Sequence, residues 1–229
     1  MNDIAHYERH DSISTISLDD GKANVMSPAM IAAVNGALDR AEADATVVVL
    51  AGRRRLFSAG FDLEILGRLN DETIAMLRGG FELAARLLAF PAPIVVACTG
   101  HALAMGSFIL CAADYRVGAD GDFKVGANEV AIGLPMPLPA LTILQHRLSP
   151  VFHTRSIALA EIFTPALACD VGFLDHVVES ERVLDEAQSV AGRLATLDRK
   201  AYLATKNRLR SEVIDQIRKG IDADYPIRA

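Results

Sequence analysis

Ile94-Val95-Val96-Ala97-Cys98-Thr99-Gly100-His101-Ala102-Leu103-Ala104-Met105-Gly106-Ser107-Phe108-Ile109-Leu110 is the stretch around which the remaining sequence arranges itself. Pro91 and Pro93 break the chain ahead of it. Ile94–Thr99 is rich in β-branched, apolar residues, the pattern of a strand buried on both faces. Gly100 supplies a turn. Ala102, Ala104, Gly106 and Ser107 are small, and they lead into Phe108–Ala113, which is too uniformly apolar for a surface. A strand, a tight turn and a buried helix leave unpaired backbone N–H groups at the helix start, where small side chains let a ligand approach. Such a place can hold a developing negative charge.

The same unit is foreshadowed upstream. Ser12–Leu18 alternates apolar and polar residues as a half-buried strand does. Ser27-Pro28 has the form of a helix start, and Met30, Ile31, Val34, Leu38 and Ala41 then share one helical face. Ala45–Ala51 is a second buried strand, so a crossover between parallel strands is expected. After the basic loop Gly52–Leu56 comes Phe57-Ser58-Ala59-Gly60-Phe61-Asp62-Leu63: a strand, a small-residue turn, and an Asp placed to cap Leu63–Leu66. Two turns with free N–H groups, converging on one point, are what an oxyanion site requires. Two ordinary strand–helix connections give the same pattern, and both readings stay open at this level.

Downstream, Asp71–Leu88 carries a helical stripe, Asp114–Val117 and Phe123–Val125 read as short strands, and Glu129 stands isolated before an apolar stretch ending at Pro135. A carboxylate in an apolar pocket is poorly solvated and a stronger base than in water. Helices are expected through Leu141–Leu148, from Phe152 to Ala160, after Thr164-Pro165, and over Val183–Leu197 and Lys200–Ile221. The division expected is a core domain at 1–180 and a C-terminal helical region at 181–229 that serves as an oligomer contact.

Composition narrows the function. Apolar residues make up 51% and charged residues 23%, a balance ordinary for a soluble enzyme. A net charge of −6 argues against nucleic acid as partner, while an anionic small molecule needs only a local basic patch. No apolar run reaches membrane-spanning length, and Met1-Asn2-Asp3-Ile4 has no basic and apolar leader pattern, so a cytoplasmic protein without membrane contact is expected. The three cysteines, Cys98, Cys111 and Cys169, lie in apolar contexts without metal-ligand spacing and read as buried thiols. No metal site and no phosphate-cradling motif is expected. His101 follows the turn glycine and is the histidine best placed to touch a ligand.

Three segments together resemble the enoyl-CoA hydratase/isomerase (crotonase) family: Leu56-Phe57-Ser58-Ala59-Gly60-Phe61-Asp62-Leu63, Thr99-Gly100-His101-Ala102-Leu103-Ala104-Met105-Gly106, and Asn128-Glu129-Val130-Ala131-Ile132-Gly133-Leu134-Pro135. Their order and spacing match, and the similarity extends from about Ser12 to the final helices. The resemblance implies an α/β fold of the ClpP/crotonase type, a spiral of repeated ββα units with a C-terminal helical region that assembles a homotrimer or a dimer of trimers. The chain ends soon after Ile221, early for the family. The substrate implied is an acyl-CoA thioester in fatty acid metabolism. No separate cofactor is implied, coenzyme A being part of the substrate. The backbone N–H groups of Phe61 and Met105 would form the oxyanion hole. Family members usually have Gly where Met105 stands, and the resemblance makes a Met side chain there expected to narrow or reshape the acyl channel. Lys22, Val25, Ser58, Ala59, Gly60, Asp62, Gly106, Phe108 and Leu134 would bind the acyl-CoA, with Arg53, Arg54 and Arg55 available for its phosphates. Clp-type serine peptidases of the same superfold carry their nucleophilic Ser immediately before such a Met; here that residue is Ala104, so that nucleophile is absent.

Within the family, hydratases place two glutamates about a water. Glu129 matches the loop glutamate, but the helix position is Phe108, which handles no proton. One carboxylate suffices to move a proton from C2 to C4 of a 3-enoyl thioester. Val125-Gly126-Ala127-Asn128-Glu129 and Asp114-Tyr115-Arg116 resemble the Δ3,Δ2-enoyl-CoA isomerases, so an isomerase with Glu129 as its acid–base group is expected. The alternatives are an enoyl-CoA hydratase or other crotonase-family lyase or hydrolase, and a non-catalytic acyl-CoA-binding protein.

Overall fold

A computed structural model describes residues 4–226. Its strands are β1 (Ala5–His10), β2 (Ile13–Leu18), β3 (Val47–Ala51), β4 (Arg55–Ser58), β5 (Ile94–Cys98), β6 (Gly100–Leu103), β7 (Tyr115–Ala119), β8 (Val125–Gly126) and β9 (His176–Val178). Its helices are α1 (Pro28–Ala43), α2 (Leu63–Leu66), α3 (Asp71–Ala89), α4 (Met105–Ala112), α5 (Leu138–Arg147), α6 (Pro165–Val171), α7 (Val183–Leu194) and α8 (Arg199–Asp224). A six-stranded sheet runs β1-β2-β3-β5-β7-β9, and a three-stranded sheet runs β4-β6-β8. Among these strand pairs of the described residues, β1–β2 is antiparallel and the others are parallel. The chain therefore climbs by repeats: a strand in the large sheet, a step into the small sheet, then a helix. β3–β4–α2 and β5–β6–α4 are two such ββα turns.

The strands of the large sheet's middle are buried along their length, as their unbroken Val, Ile and Leu runs require. One face packs on α1, α3 and α4. The other meets α7, whose Val183, Ala187, Val190 and Ala191 cover Val49, Val95 and Val117. Helix α8 lies against α3 and α5. It is pinned by Asp114, whose carboxylate accepts from Lys206 at 2.9 Å, Arg210 at 2.8 Å and the Ile94 N–H at 2.7 Å.

Gly100 departs from its expected place. It is not the turn between strand and helix but the first residue of β6, and the crossing between sheets is made at Thr99. A β-carbon at Gly100 would stand 1.9 Å from the carbonyl carbon of Arg55 on β4, so this close strand approach admits only glycine. Strand β1 carries little apolar signal because it is an edge strand, buried only at Ala5 and Tyr7. The expected helix from Phe152 to Ala160 is instead a 3-10 turn, Pro150–Phe152, followed by a π-helical turn, Thr154–Ala158.

Candidate active site

The first of the two turns is held from below by the loop before α1. Asp20 accepts from the N–H groups of Lys22, Asn24 and Val25. Asn24, buried at a positive φ of 47°, donates its amide to Leu18 O and Phe57 O. Ala59 N–H donates to Ala23 O at 3.1 Å, and Met26 N–H to Gly60 O at 2.8 Å. The Ser58 hydroxyl donates to Asn24 O at 2.7 Å and accepts from Gly60 N–H at 3.2 Å. Gly60 itself takes φ +103°, which an L side chain resists. Asp62 caps α2, accepting from Glu64 and Ile65. With its neighbours so engaged, the Phe61 N–H is left without an acceptor among the described residues.

The second turn lies against the first. Ala104 has φ 49° and ψ −123°, a conformation costing on the order of 1–3 kcal/mol for a residue with a β-carbon. It is held by donation of its N–H to Gly126 O at 3.1 Å, and its own carbonyl accepts from Ser107 and Phe108 at 2.8 and 3.2 Å. Gly106 backs onto Ser58, where a β-carbon would meet the carbonyl oxygen at 2.6 Å. Met105 opens α4, and its N–H also finds no acceptor among the described residues. A β-carbon built on Gly60 would lie 3.4 Å from Met105 N, so the two turns are in contact.

In front of these turns is a cavity of about 340 Å³. Ala59, Phe61, Ala104 and Phe108 line it from the two turns, Leu77 and Phe81 from α3, and Asn128, Glu129 and Leu134 from the loop after β8. Glu129 is its one lining carboxylate among the described residues. It is 7% exposed, and burial pushes its pKa up to about 7. Its Oε2 has no hydrogen-bond partner among the described residues. The backbone is fixed independently, because Glu129 O accepts from Ile132 and Leu134 at 3.1 and 2.9 Å. The site thus combines unpaired N–H donors with a carboxylate poised to gain or lose a proton near neutrality, inside an apolar chamber.

Ala59, Phe61, Phe108, Glu129 and Leu134 come together as the sequence reading expects. Gly60 and Met105 sit immediately behind them in the turns. Met105 corrects one expectation: its side chain is fully buried, its sulfur faces Gly80, and it does not line the cavity. Ser58, Asp62 and Gly106 shape the turns through internal hydrogen bonds and close packing and contribute no cavity wall. Lys22 and Val25 lie in the supporting loop outside the cavity; Lys22 is exposed, and its carbonyl accepts from Arg53. His101 accepts from Lys124 N–H at 3.0 Å and meets Phe123 edge-on, apart from the cavity. Tyr225 and Asn128 were not singled out from the sequence, yet both line the chamber. Tyr225 closes a charged helix far along the chain, and no local pattern marks it.

Comparison with known proteins adds to this geometry. The enoyl-CoA hydratase/isomerase family model matches residues 8–227. A solved structure described as an enoyl-CoA isomerase from Mycobacterium tuberculosis is 46% identical, with a TM-score of 0.93 over 97% of this chain and 98% of that one. A second structure of the same protein is described as a probable enoyl-CoA hydratase. An enoyl-CoA hydratase from Mycobacterium marinum is 45% identical, with the same TM-score, over 97% of this chain and 99% of that one. Enoyl-CoA delta isomerase 1 of rat mitochondria is 29% identical over 78% of this chain; the match spans 62% of that enzyme's length.

Proposed function

Since the chain belongs to the enoyl-CoA hydratase/isomerase family, we propose that it is a Δ3,Δ2-enoyl-CoA isomerase in which Glu129 moves the proton. One observation carries the choice over hydration: Glu129 is the single carboxylate lining the cavity among the described residues, and Phe108 occupies the helix position where a second acid would be needed.

The thioester carbonyl oxygen of a 3-enoyl-CoA lies between the N–H groups of Phe61 and Met105. Ionised Glu129 takes a proton from C2. The C2–H electron pair delocalises through the thioester carbonyl and the C3–C4 double bond, giving a dienolate whose charge rests on the oxygen held by the two N–H groups. Glu129, now protonated, returns the proton to C4, and the double bond settles between C2 and C3. Atoms balance, and the carboxylate is restored. A pKa near neutrality suits a group that must act first as base and then as acid. Phe61, Phe81 and Phe108 keep water from the intermediate. The phosphates of coenzyme A lie toward Lys22 and Arg53, and the assembly is a homotrimer or a dimer of trimers.

The test is product analysis with 2-hexenoyl-CoA and 3-hexenoyl-CoA offered separately. The proposal expects the 3-enoyl ester to become the 2-enoyl ester without change of mass. A gain of one water from the 2-enoyl ester would replace it with the hydratase reading, which relatives named as hydratases keep in view.

A further inference from the structure

Tyr225 ends α8 and brings its ring to the cavity that holds Glu129. Three aromatic rings form a series there. Phe81, fully buried on α3, stacks on Phe108 with centroids 6.0 Å apart and planes at 25°, and on Tyr225 with centroids 6.0 Å apart and planes at 11°. Phe108 lies one helical turn beyond Met105, so the series leads from the turn bearing the free N–H to the end of α8.

The last of these rings is anchored through its main chain. Arg78 on α3 donates to Tyr225 O at 2.6 Å and to Asp222 at 2.8 Å. The neighbouring Asp224 accepts from Leu138 N–H at 2.6 Å, tying the same helix end to the proline-rich segment that follows Glu129. Gly220 packs against Leu138 and Pro139 backbone, where a β-carbon would stand 3.0 Å from Pro139 N. With its main chain held at the helix end and its ring stacked on a buried partner, this half-buried side chain forms a wall that a flexible acyl chain cannot displace cheaply.

We infer that Tyr225 sets the acyl-length limit of this site: its ring stops the chain that starts at the Phe61 and Met105 turns and runs along Phe108 and Phe81. The inference rests on the acyl-thioester reading above, though not on which reaction the thioester undergoes.

The experiment titrates butanoyl-, octanoyl- and dodecanoyl-CoA, saturated esters that have no double bond to move, into the wild type and three variants by calorimetry, with thermal melts to establish folding. In the wild type and in Tyr225→Phe, the gain in affinity with chain length stops before dodecanoyl-CoA. Tyr225→Ala improves dodecanoyl-CoA relative to butanoyl-CoA by about tenfold, the effect of burying roughly two further methylenes. Tyr225→Trp moves the limit the other way, weakening octanoyl-CoA relative to butanoyl-CoA by about tenfold. Because the two changes act in opposite directions, either folded variant decides alone. An unmoved ranking in a folded Ala or Trp variant overturns the inference and leaves the acyl-thioester reading standing. Failure of the wild type to bind any of the three esters overturns both.

Discussion

Gly60 and Ala104 approach so closely that a β-carbon on Gly60 would stand 2.7 Å from the β-carbon of Ala104. This contact joins the two turns, and with them the N–H groups of Phe61 and Met105. Both residues hold positive φ, +103° and 49°, and each turn is kept in its conformation by backbone bonds to elements outside it.

Gly60→Ala is therefore expected to separate the turns. The new methyl meets Ala104 in a backbone conformation that L residues resist, and the N–H of Phe61 shifts away from that of Met105. Turnover should fall by about 100- to 1000-fold, the usual effect of losing one oxyanion donor, and the strained methyl should also lower stability by about 1–3 kcal/mol. Steady-state kinetics beside calorimetry checks this; unchanged turnover would remove the oxyanion role from this turn.

Met105→Ala separates the backbone group from the side chain. The buried thioether is lost, and stability should drop by about 2–5 kcal/mol. The N–H remains, so kcat is expected to stay within a few-fold of wild type. Denaturant unfolding and kinetics on the same preparation measure both.

Burial raises Glu129 to about 7, and this makes two pH predictions. As a base the group must be ionised, so kcat/KM rises as pH climbs through about 7 and is lost in acid. For stability the sign is opposite. The folded state keeps a proton that the unfolded chain releases near the ordinary carboxylate range, so the stabilisation is full below that range and is lost as pH rises through about 7. Glu129→Gln lacks this loss. Above neutrality it should be more stable than wild type, by at most about 3 kcal/mol, while its turnover is lowered by at least about 100-fold. Urea denaturation at several pH values tests the crossing.

Asp114→Asn, away from the cavity, should leave Lys206 and Arg210 with uncompensated charge in a buried setting. Their side chains are 3% and 8% exposed beside Asp114. Removing one partner of a buried ion cluster costs about 3–5 kcal/mol. Chemical denaturation should show this loss, with the packing of α8 on α3 weakened.

The two turns and the cavity carboxylate were legible in the sequence because each depends on local chemistry. Phe57–Asp62 carries its glycine and its helix cap within a few residues, and Glu129 stands out as a lone acid in an apolar stretch. Gly100 was misplaced because its reason is non-local: the backbone of Arg55, in another strand, occupies the space of its β-carbon. Met105 was assigned to the right turn, but which way its side chain leaves the backbone depends on the unusual dihedrals of Ala104. Arg78 and Asp224 fasten the end of α8 where Tyr225 meets the cavity, and pairings so distant in the chain leave no periodicity to read.

The most direct measurement follows the double-bond position of the product formed from 3-hexenoyl-CoA by the wild type and by Glu129→Gln. The wild type is expected to convert this ester to 2-hexenoyl-CoA, with the rate lowered by at least about 100-fold in the folded variant. Isomerisation undiminished in Glu129→Gln, or a wild type that leaves the 3-enoyl ester untouched and hydrates the 2-enoyl ester, would contradict the proposed isomerase role of Glu129.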